Sequence, residues 1–179
     1  MIKSHLKYLK YVLRHKMFVM LECAKLGIPW QGVVHDLSKF SRHEWTDYVF
    51  KFFGPELADN VDGYYKKKAR DERFGVAWLH HQHNNPHHWQ YFVQIKEPFY
   101  VDGSTESFNA VKYEVFPMPE WYVREMLADW RAMAHSFGDD SIYVWYKTNK
   151  PRMILHPETE KYLESLMDQE ELYAEEDLL

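Results

Sequence analysis

The sequence predicts a mainly α-helical bundle with one small β-hairpin inserted at about residues 89–116. Three observations carry that expectation. Apolar residues recur at three- and four-residue steps through most of the chain, Gly or Pro closes most of those runs, and strand-type composition is confined to the 89–95 and 111–116 stretches. At 179 residues there is room for one real core and too little for two, and an apolar content of 46% supports burying it. A single domain over 1–169 is expected, followed by an acidic tail over 170–179 that should fray.

The first helix is expected from about Ser4 to Leu26. Leu6, Leu9, Leu13, Met17, Met20 and Ala24 form one apolar line, and Tyr8, Val12, His15, Val19 and Cys23 form a second beside it. His15 therefore lies on a face that otherwise buries apolar groups. Gly27 and Pro29 end the helix. A second helix is expected over about Trp30 to Phe40. A third should begin after Ser41, with Glu44 at capping-box spacing, and end near Gly54-Pro55. The polar stretch from Pro55 to Arg70 reads as a short helix and loop, with Lys66 to Lys68 a solvated face.

A helix resumes at about Asp71, carries Phe74, Ala77, Trp78 and His81, and stops at Asn84-Asn85-Pro86. Trp89 to Ile95 and Val111 to Phe116 are the strands of the hairpin, with Asp102-Gly103 between them. Pro117-Met118-Pro119-Glu120 opens a helix that runs through Val123, Leu127, Trp130 and Ala134 to Gly138, with Asp129 beside the apolar stripe. A short helix over about Asp140 to Asn149 and a last one from His156, with Tyr162, Leu163 and Leu166 as its apolar side, complete the chain.

Composition excludes several function classes. A net charge of −5 with no long basic run argues against an extended nucleic-acid surface. The lone Cys23 gives neither a disulfide nor a thiolate cluster. Lys3, His5, Lys7, Lys10, Arg14, His15 and Lys16 interrupt the first twenty residues, so no signal peptide is expected, and no apolar run is long enough to span a membrane. A cytoplasmic protein is the expectation, and the aromatic surplus permits a homodimer.

The chemistry centres on His35-Asp36, which follows two valines and precedes a leucine. A buried Asp without a partner is costly, and a bound cation removes most of that cost. Alone, such a pair is ordinarily an N-cap or a surface feature. Here His15, a cluster of five histidines between positions 80 and 88, and Asp129 stand on other helices. Sites in a bundle core draw ligands from facing helices, and mixed imidazole and carboxylate ligation suits Mn, Fe, Co, Ni or Zn more than Ca.

The order His15, His35-Asp36, His80-His81, Asp129 resembles the metal signature of the HD-domain superfamily, all-helical proteins that are mostly metal-dependent phosphohydrolases. More narrowly, HDLSKF, WLHHQHNNPHHWQ, PMPEWYVREMLADW and ILHPETEKYLESL resemble a small phage and bacterial family of HD-like proteins of unassigned function, over about Tyr11 to Met167. The resemblance implies that His15, His35, Asp36 and Asp129 hold one divalent transition metal, and that His80 and His81 supply ligands to a second. The family's intermediate single His has no clear match, since His43 is too close to the pair. His83, His87 and His88 stand as substitutes or as phosphate binders, which leaves one or two ions open.

The implied reaction is hydrolysis of a small phosphorylated metabolite, a nucleotide first, by metal-activated water, with Asp36, Lys39 and Glu44 as catalytic candidates. Lys39 binds a phosphate oxygen or is an exposed helix lysine, and Glu44 moves a proton or caps its helix. Lys39, His83, His88 and Arg124 are the substrate-binding candidates, with Arg131 and Lys112 as further charges. Trp78, Trp89 and Trp130 stack on a base or, more simply, pack. Two alternatives are a di-iron oxygenase of HD type and a non-catalytic accessory protein whose metal site is structural.

Overall fold

The computed structural model describes residues 2–96, 112–138 and 142–176. Over these the chain is mainly helical, with helices α1 (Ile2–Lys25), α2 (Pro29–Val34), α3 (Trp45–Phe53), α4 (Val61–Asn84), α5 (Glu120–Phe137), α6 (Ile142–Asn149) and α7 (Pro157–Glu176). Strands β1 (Val93–Lys96) and β2 (Lys112–Val115) pair antiparallel, Val93 opposite Val115 and Lys96 opposite Lys112. The mainly α bundle with a small hairpin is thus what forms. The expected Asp102-Gly103 turn and Val111 lie outside the described residues.

Three apolar patches hold the helices together. Tyr8, Val12, Tyr48, Val49 and Ala77 join α1, α3 and α4. Val19, Cys23, Ile28, Ala128 and Ala132 join α1 to α5. Met118, Val123, Met126, Leu127, Tyr146, Leu163 and Met167 join α5, α6 and α7. Fully burying one such side chain contributes roughly 1.5–3 kcal/mol. Trp89 and Trp130 pack against the last patch, the simpler of the two expectations for them.

On α1 the second apolar line, Tyr8, Val12, His15, Val19 and Cys23, is the buried one. Leu6, Leu13, Met17 and Met20 of the other line are 41–59% exposed. A helix with two apolar lines buries the one its partners approach, and here α3, α4 and α5 all approach the line that holds His15.

The expected helix over Trp30 to Phe40 is broken. α2 stops at Val34, Asp36 takes a left-handed conformation (φ 55°, ψ 28°), and a 3-10 turn covers Leu37–Phe40. Left-handed backbone is uncommon outside Gly, with Asp among the residues that tolerate it best. Lys16 Nζ donates to the carbonyls of Val33 and His35 at 2.6 and 2.7 Å, satisfying the broken end of α2. Gly32 permits the crossing with α1, since a Cβ there would stand 2.6 Å from Met20 Cα.

Other boundaries moved as well. The capping box does not form: α3 starts at Trp45 with no side-chain cap, the Ser41 hydroxyl is unpartnered, and Glu44 turns inward. α4 starts ten residues earlier than its apolar stripe, at an N-cap where Asn60 Oδ1 accepts from the Gly63 amide at 2.8 Å. Lys66 pairs with Asp62 on its exposed face, as expected of a solvated stretch. Trp89–Phe92 forms a 3-10 turn and the strand begins only at Val93. α7 continues to Glu176, into the 170–179 stretch.

Candidate metal centre

The break at Asp36 decides the geometry. In one continuous helix, side chains at 35 and 36 would diverge by about 100°. With Asp36 left-handed, His35 Nε2 and Asp36 Oδ2 stand 3.2 Å apart, both residues buried. α1 brings His15 and α5 brings Asp129, whose Nε2 and Oδ1 are 2.9 Å apart, and His35 Nε2 lies 3.7 Å from the same Asp129 oxygen. The end of α4 and the turn after it bring His81 and His87, whose Nε2 atoms lie 3.3 and 3.4 Å from Asp36 Oδ1.

These spacings are those of ligands around ions. With bonds near 2.1 Å, neighbouring ligand atoms stand roughly 3.0 Å apart in an octahedral shell and about 3.4 Å apart in a tetrahedral one. The shortest, 2.9 Å between His15 Nε2 and Asp129 Oδ1, also falls within hydrogen-bond range. His15 Nε2, His35 Nε2, Asp36 Oδ1, His87 Nε2 and His88 Nε2 are buried with no hydrogen-bond partner among the described residues, while Asp36 Oδ2 is met by the Lys39 ammonium. Buried polar atoms are normally satisfied, so a convergent set of unsatisfied ones calls for something at the centre. Two sets of ligand atoms result: His15, His35 and Asp129, and Asp36, His81, His87 and His88. Either buried cluster could hold a metal ion. Asp36 turns Oδ2 toward the first set and Oδ1 toward the second.

Two buried glutamates aim the rings. Glu125 Oε1 lies 2.9 Å from His35 Nδ1 and 3.2 Å from His87 Nδ1. Glu44 Oε2 lies 2.8 Å from His81 Nδ1, and its Oε1 lies 2.8 Å from His80 Nδ1. A His that donates Nδ1–H to a carboxylate keeps Nε2 unprotonated, and such outer partners fix the tautomer and raise ligand basicity. His35, His87 and Glu125 also group by distance. Because their contacts run through Nδ1 hydrogen bonds, that trio orients the ligand set rather than forming a third one.

Charge leads to the same centre. Asp36, Glu44, Glu125 and Asp129 bring four carboxylates inside, and Lys39, with Nζ 2.5 Å from Asp36 Oδ2 and 13% exposed, is the one lysine paired with them among the described residues. Burial alone would raise each carboxyl. For Asp36 it is outweighed by the charges of His35 and Lys39, for Asp129 by the close approach of the His15 and His35 imidazoles, and both acids sit well below the usual range. Glu44 and Glu125 are lowered in the same way by the histidines they orient. Burial alone would lower His35, but the Asp36 charge, the nearby Asp129 carboxylate and the hydrogen bond to Glu125 raise it well above its ordinary value. A proton on His35 thus stands where a metal cation would. Burial and the neighbouring His87 and His81 hold His88 well below its usual value, which keeps it neutral.

The structure therefore gathers His15, His35, Asp36, His81 and Asp129, and adds His87 and His88. It does not gather His80, which is turned to Glu44, is 31% exposed and stacks on exposed His43. Position explains this: His80 and His81 are about 100° apart on α4, so only one can face inward. Glu44 has no exposed surface and both its oxygens are occupied by histidines, so in this arrangement it orients the His80 and His81 rings and is neither a helix cap nor a free proton donor. Lys39 is not an exposed helix lysine. His83 is exposed on the outer face of α4. Arg124 Nε donates to the Tyr162 hydroxyl of α7 at 2.6 Å and so serves the packing of that helix. Arg131 lies 3.7 Å from buried Glu22, and the Lys112 side chain lies outside the described residues. Trp78 stacks on His81 and meets His88 edge-on, forming a wall of the second cluster.

Sequence reasoning missed Glu125, although it stands four residues before Asp129 and hence on the same helix face. A surface concavity of about 400 Å³ on α7, lined by Glu160, Lys161, Glu164 and Asp168 among others, shares no residue with the clusters. Among the described residues no helix is long and apolar enough to cross a membrane.

No curated protein and no solved structure matches the chain. Its sequence does match one family over residues 4–169, a span that contains every histidine and carboxylate of the two clusters, and the chain belongs to that family, described as "Family of unknown function (DUF5662)".

Proposed function

We propose that the protein is a metal-dependent phosphohydrolase acting on a small phosphorylated metabolite, with nucleotides the first class to examine. The observation that carries this reading is the convergence of unpartnered imidazole nitrogens and carboxylate oxygens on two adjacent points joined by Asp36. His15, His35, Asp36 and Asp129 would hold one divalent transition metal, and Asp36, His81, His87 and His88 a second. This arrangement is consistent with the HD-like resemblance, with His87 and His88 standing where His80 was expected.

A bound divalent ion lowers the pKa of a coordinated water toward about 7 and polarises a phosphoryl oxygen. The chain's own residues do the rest. Glu125 and Glu44 hold His35, His87 and His81 with Nε2 facing the centre. Lys39 sets a positive charge beside Asp36, where a phosphoryl oxygen would meet it. Asp129 at 15% and Lys39 at 13% are among the members that reach solvent, so substrate enters on their side.

Protein purified without chelator or affinity nickel should contain close to two transition-metal ions per chain and release phosphate from some member of a nucleotide panel. Protein that stays inert with added Mn, Co and Fe would overturn the reading. Iron with a mixed-valent magnetic signal, and no phosphate release, would favour an oxygenase instead.

A further inference from the structure

Two hydroxyls beside the centre have nothing to donate to. Tyr8 of α1 is fully buried and Tyr48 of α3 is 5% exposed, and neither Oη has a hydrogen-bond partner among the described residues. Their rings lie 6.1 Å apart, and the Tyr48 ring stands edge-on to His81 at 6.0 Å. Both rings belong to the α1–α3–α4 apolar patch, and the Tyr48 ring brings that patch against His81 of the cluster.

Packing does not explain the hydroxyls. Phe53 and Phe74 fill neighbouring places in the same patch, so a ring without an oxygen fits there. Leaving a buried donor unmet is unfavourable, and Phe at 8 and 48 would avoid it. Burial, with the negative charges of Glu44 and Asp36, raises both hydroxyls well above the ordinary tyrosine value, so each remains a protonated donor. The charge of Lys39 acts on Tyr8 in the opposite sense and does not outweigh burial. Tyr48 against His81, Tyr8 against Tyr48 and Lys39 against Asp36 thus bring two neutral donors and one ammonium to the neighbourhood of the cluster.

We propose that Tyr8 Oη, Tyr48 Oη and the Lys39 ammonium form an oxyanion subsite that takes the non-bridging oxygens of a phosphoryl group beside the metal centre. This rests on the phosphohydrolase reading and names the part of the substrate that the site grips. A bound phosphoryl group supplies acceptors to both hydroxyls and a counter-charge to Lys39 once Asp36 is committed to a metal.

The test is calorimetric titration of the metal-loaded full-length protein with inorganic phosphate, for wild type, Tyr8→Phe, Tyr48→Phe and the double variant. Each single change should weaken phosphate binding by about tenfold, and the double change by more, with metal content unaltered. Melting temperature provides the second readout, since Phe preserves the ring and should leave it unchanged or higher. Phosphate affinity equal to wild type in the double variant overturns the subsite and assigns the hydroxyls to trapped water. In that case intact metal content and phosphate release from nucleotides would leave the phosphohydrolase reading standing. Wild-type protein that takes up no metal overturns both.

Discussion

The two sides of α5 are built on opposite principles. Toward α6 and α7 it presents Val123, Met126 and Leu127, which meet Tyr146, Leu163 and Met167 in a core of apolar contacts. Toward α1 and the 35–36 break it presents Glu125 and Asp129, which meet imidazoles at hydrogen-bond and ligand distances. The first side is complete as it stands. The second gathers four carboxylates, one lysine and several ring nitrogens unpartnered among the described residues, an arrangement that a bound cation would satisfy. Stability of the first side should be intrinsic, and stability of the second conditional on what it binds.

Removing metal should separate the two sides most widely. With free ion about a thousandfold above its dissociation constant, binding contributes about 4 kcal/mol. Chelation should therefore cost amide protection first in the middle of α1, in α2 and at the end of α4, while α7 holds. Hydrogen exchange reads this directly, and uniform loss across all helices would end the contrast. Leu163→Ala should produce the converse, about 3 kcal/mol of destabilisation from transfer and cavity terms. Urea unfolding should give the same loss with and without metal.

Glu125→Ala strips the Nδ1 partner from both His35 and His87. Metal affinity, measured by competition with a chromophoric chelator, should fall about 10- to 100-fold. A similar fall from Arg124→Ala, which touches α7 instead, would show that any change on α5 suffices.

The pH response of metal-free protein sharpens the contrast further. His35 is raised when folded, so its contribution is complete below about pH 6.5 and is lost as pH climbs through its higher folded value. Asp36, Asp129, Glu44 and Glu125 are lowered when folded, so theirs is present above roughly pH 4 and lost as pH falls through their folded values. Metal-free stability should therefore decline above neutrality by at most about 1.4 kcal/mol per pH unit from this one proton. Metal-loaded protein, in which an ion replaces the proton, should lack that decline in urea titrations from pH 6 to 9.

Sequence periodicity was sufficient for the helices that bury a single apolar stripe, α5 above all. It failed on α1, where two apolar lines compete and only the positions of the partner helices decide between them. Glu44 misled for a related reason: Ser41 and Glu44 have capping-box spacing, but pairing with two histidines on α4 outweighs a local cap. The grouping of His15, His35-Asp36 and Asp129 was legible because metal ligation would restrict residue type at such positions. His87 and His88 were less so, since the turn at Asn84-Asn85-Pro86 that swings them inward has no periodicity to follow. Tyr8 and Tyr48 gave no signal, because an unmet hydroxyl is a property of surroundings and not of residue type.

The left-handed residue at 36 makes this segment a phase shifter. α2 and the 37–40 turn are two short helical pieces joined with an angular offset, and His35, Asp36 and Lys39 face one point only because of that offset. Such a joint tolerates changes of side chain better than changes of count. Asn, which accepts the same backbone conformation, would preserve the phase while removing the charge at position 36. Deleting a single residue between Pro29 and Phe40 would rotate one piece against the other by about 100° and scatter the three side chains, however well each was conserved in kind. Length between α1 and α3 is therefore as much a part of the site as its ligands.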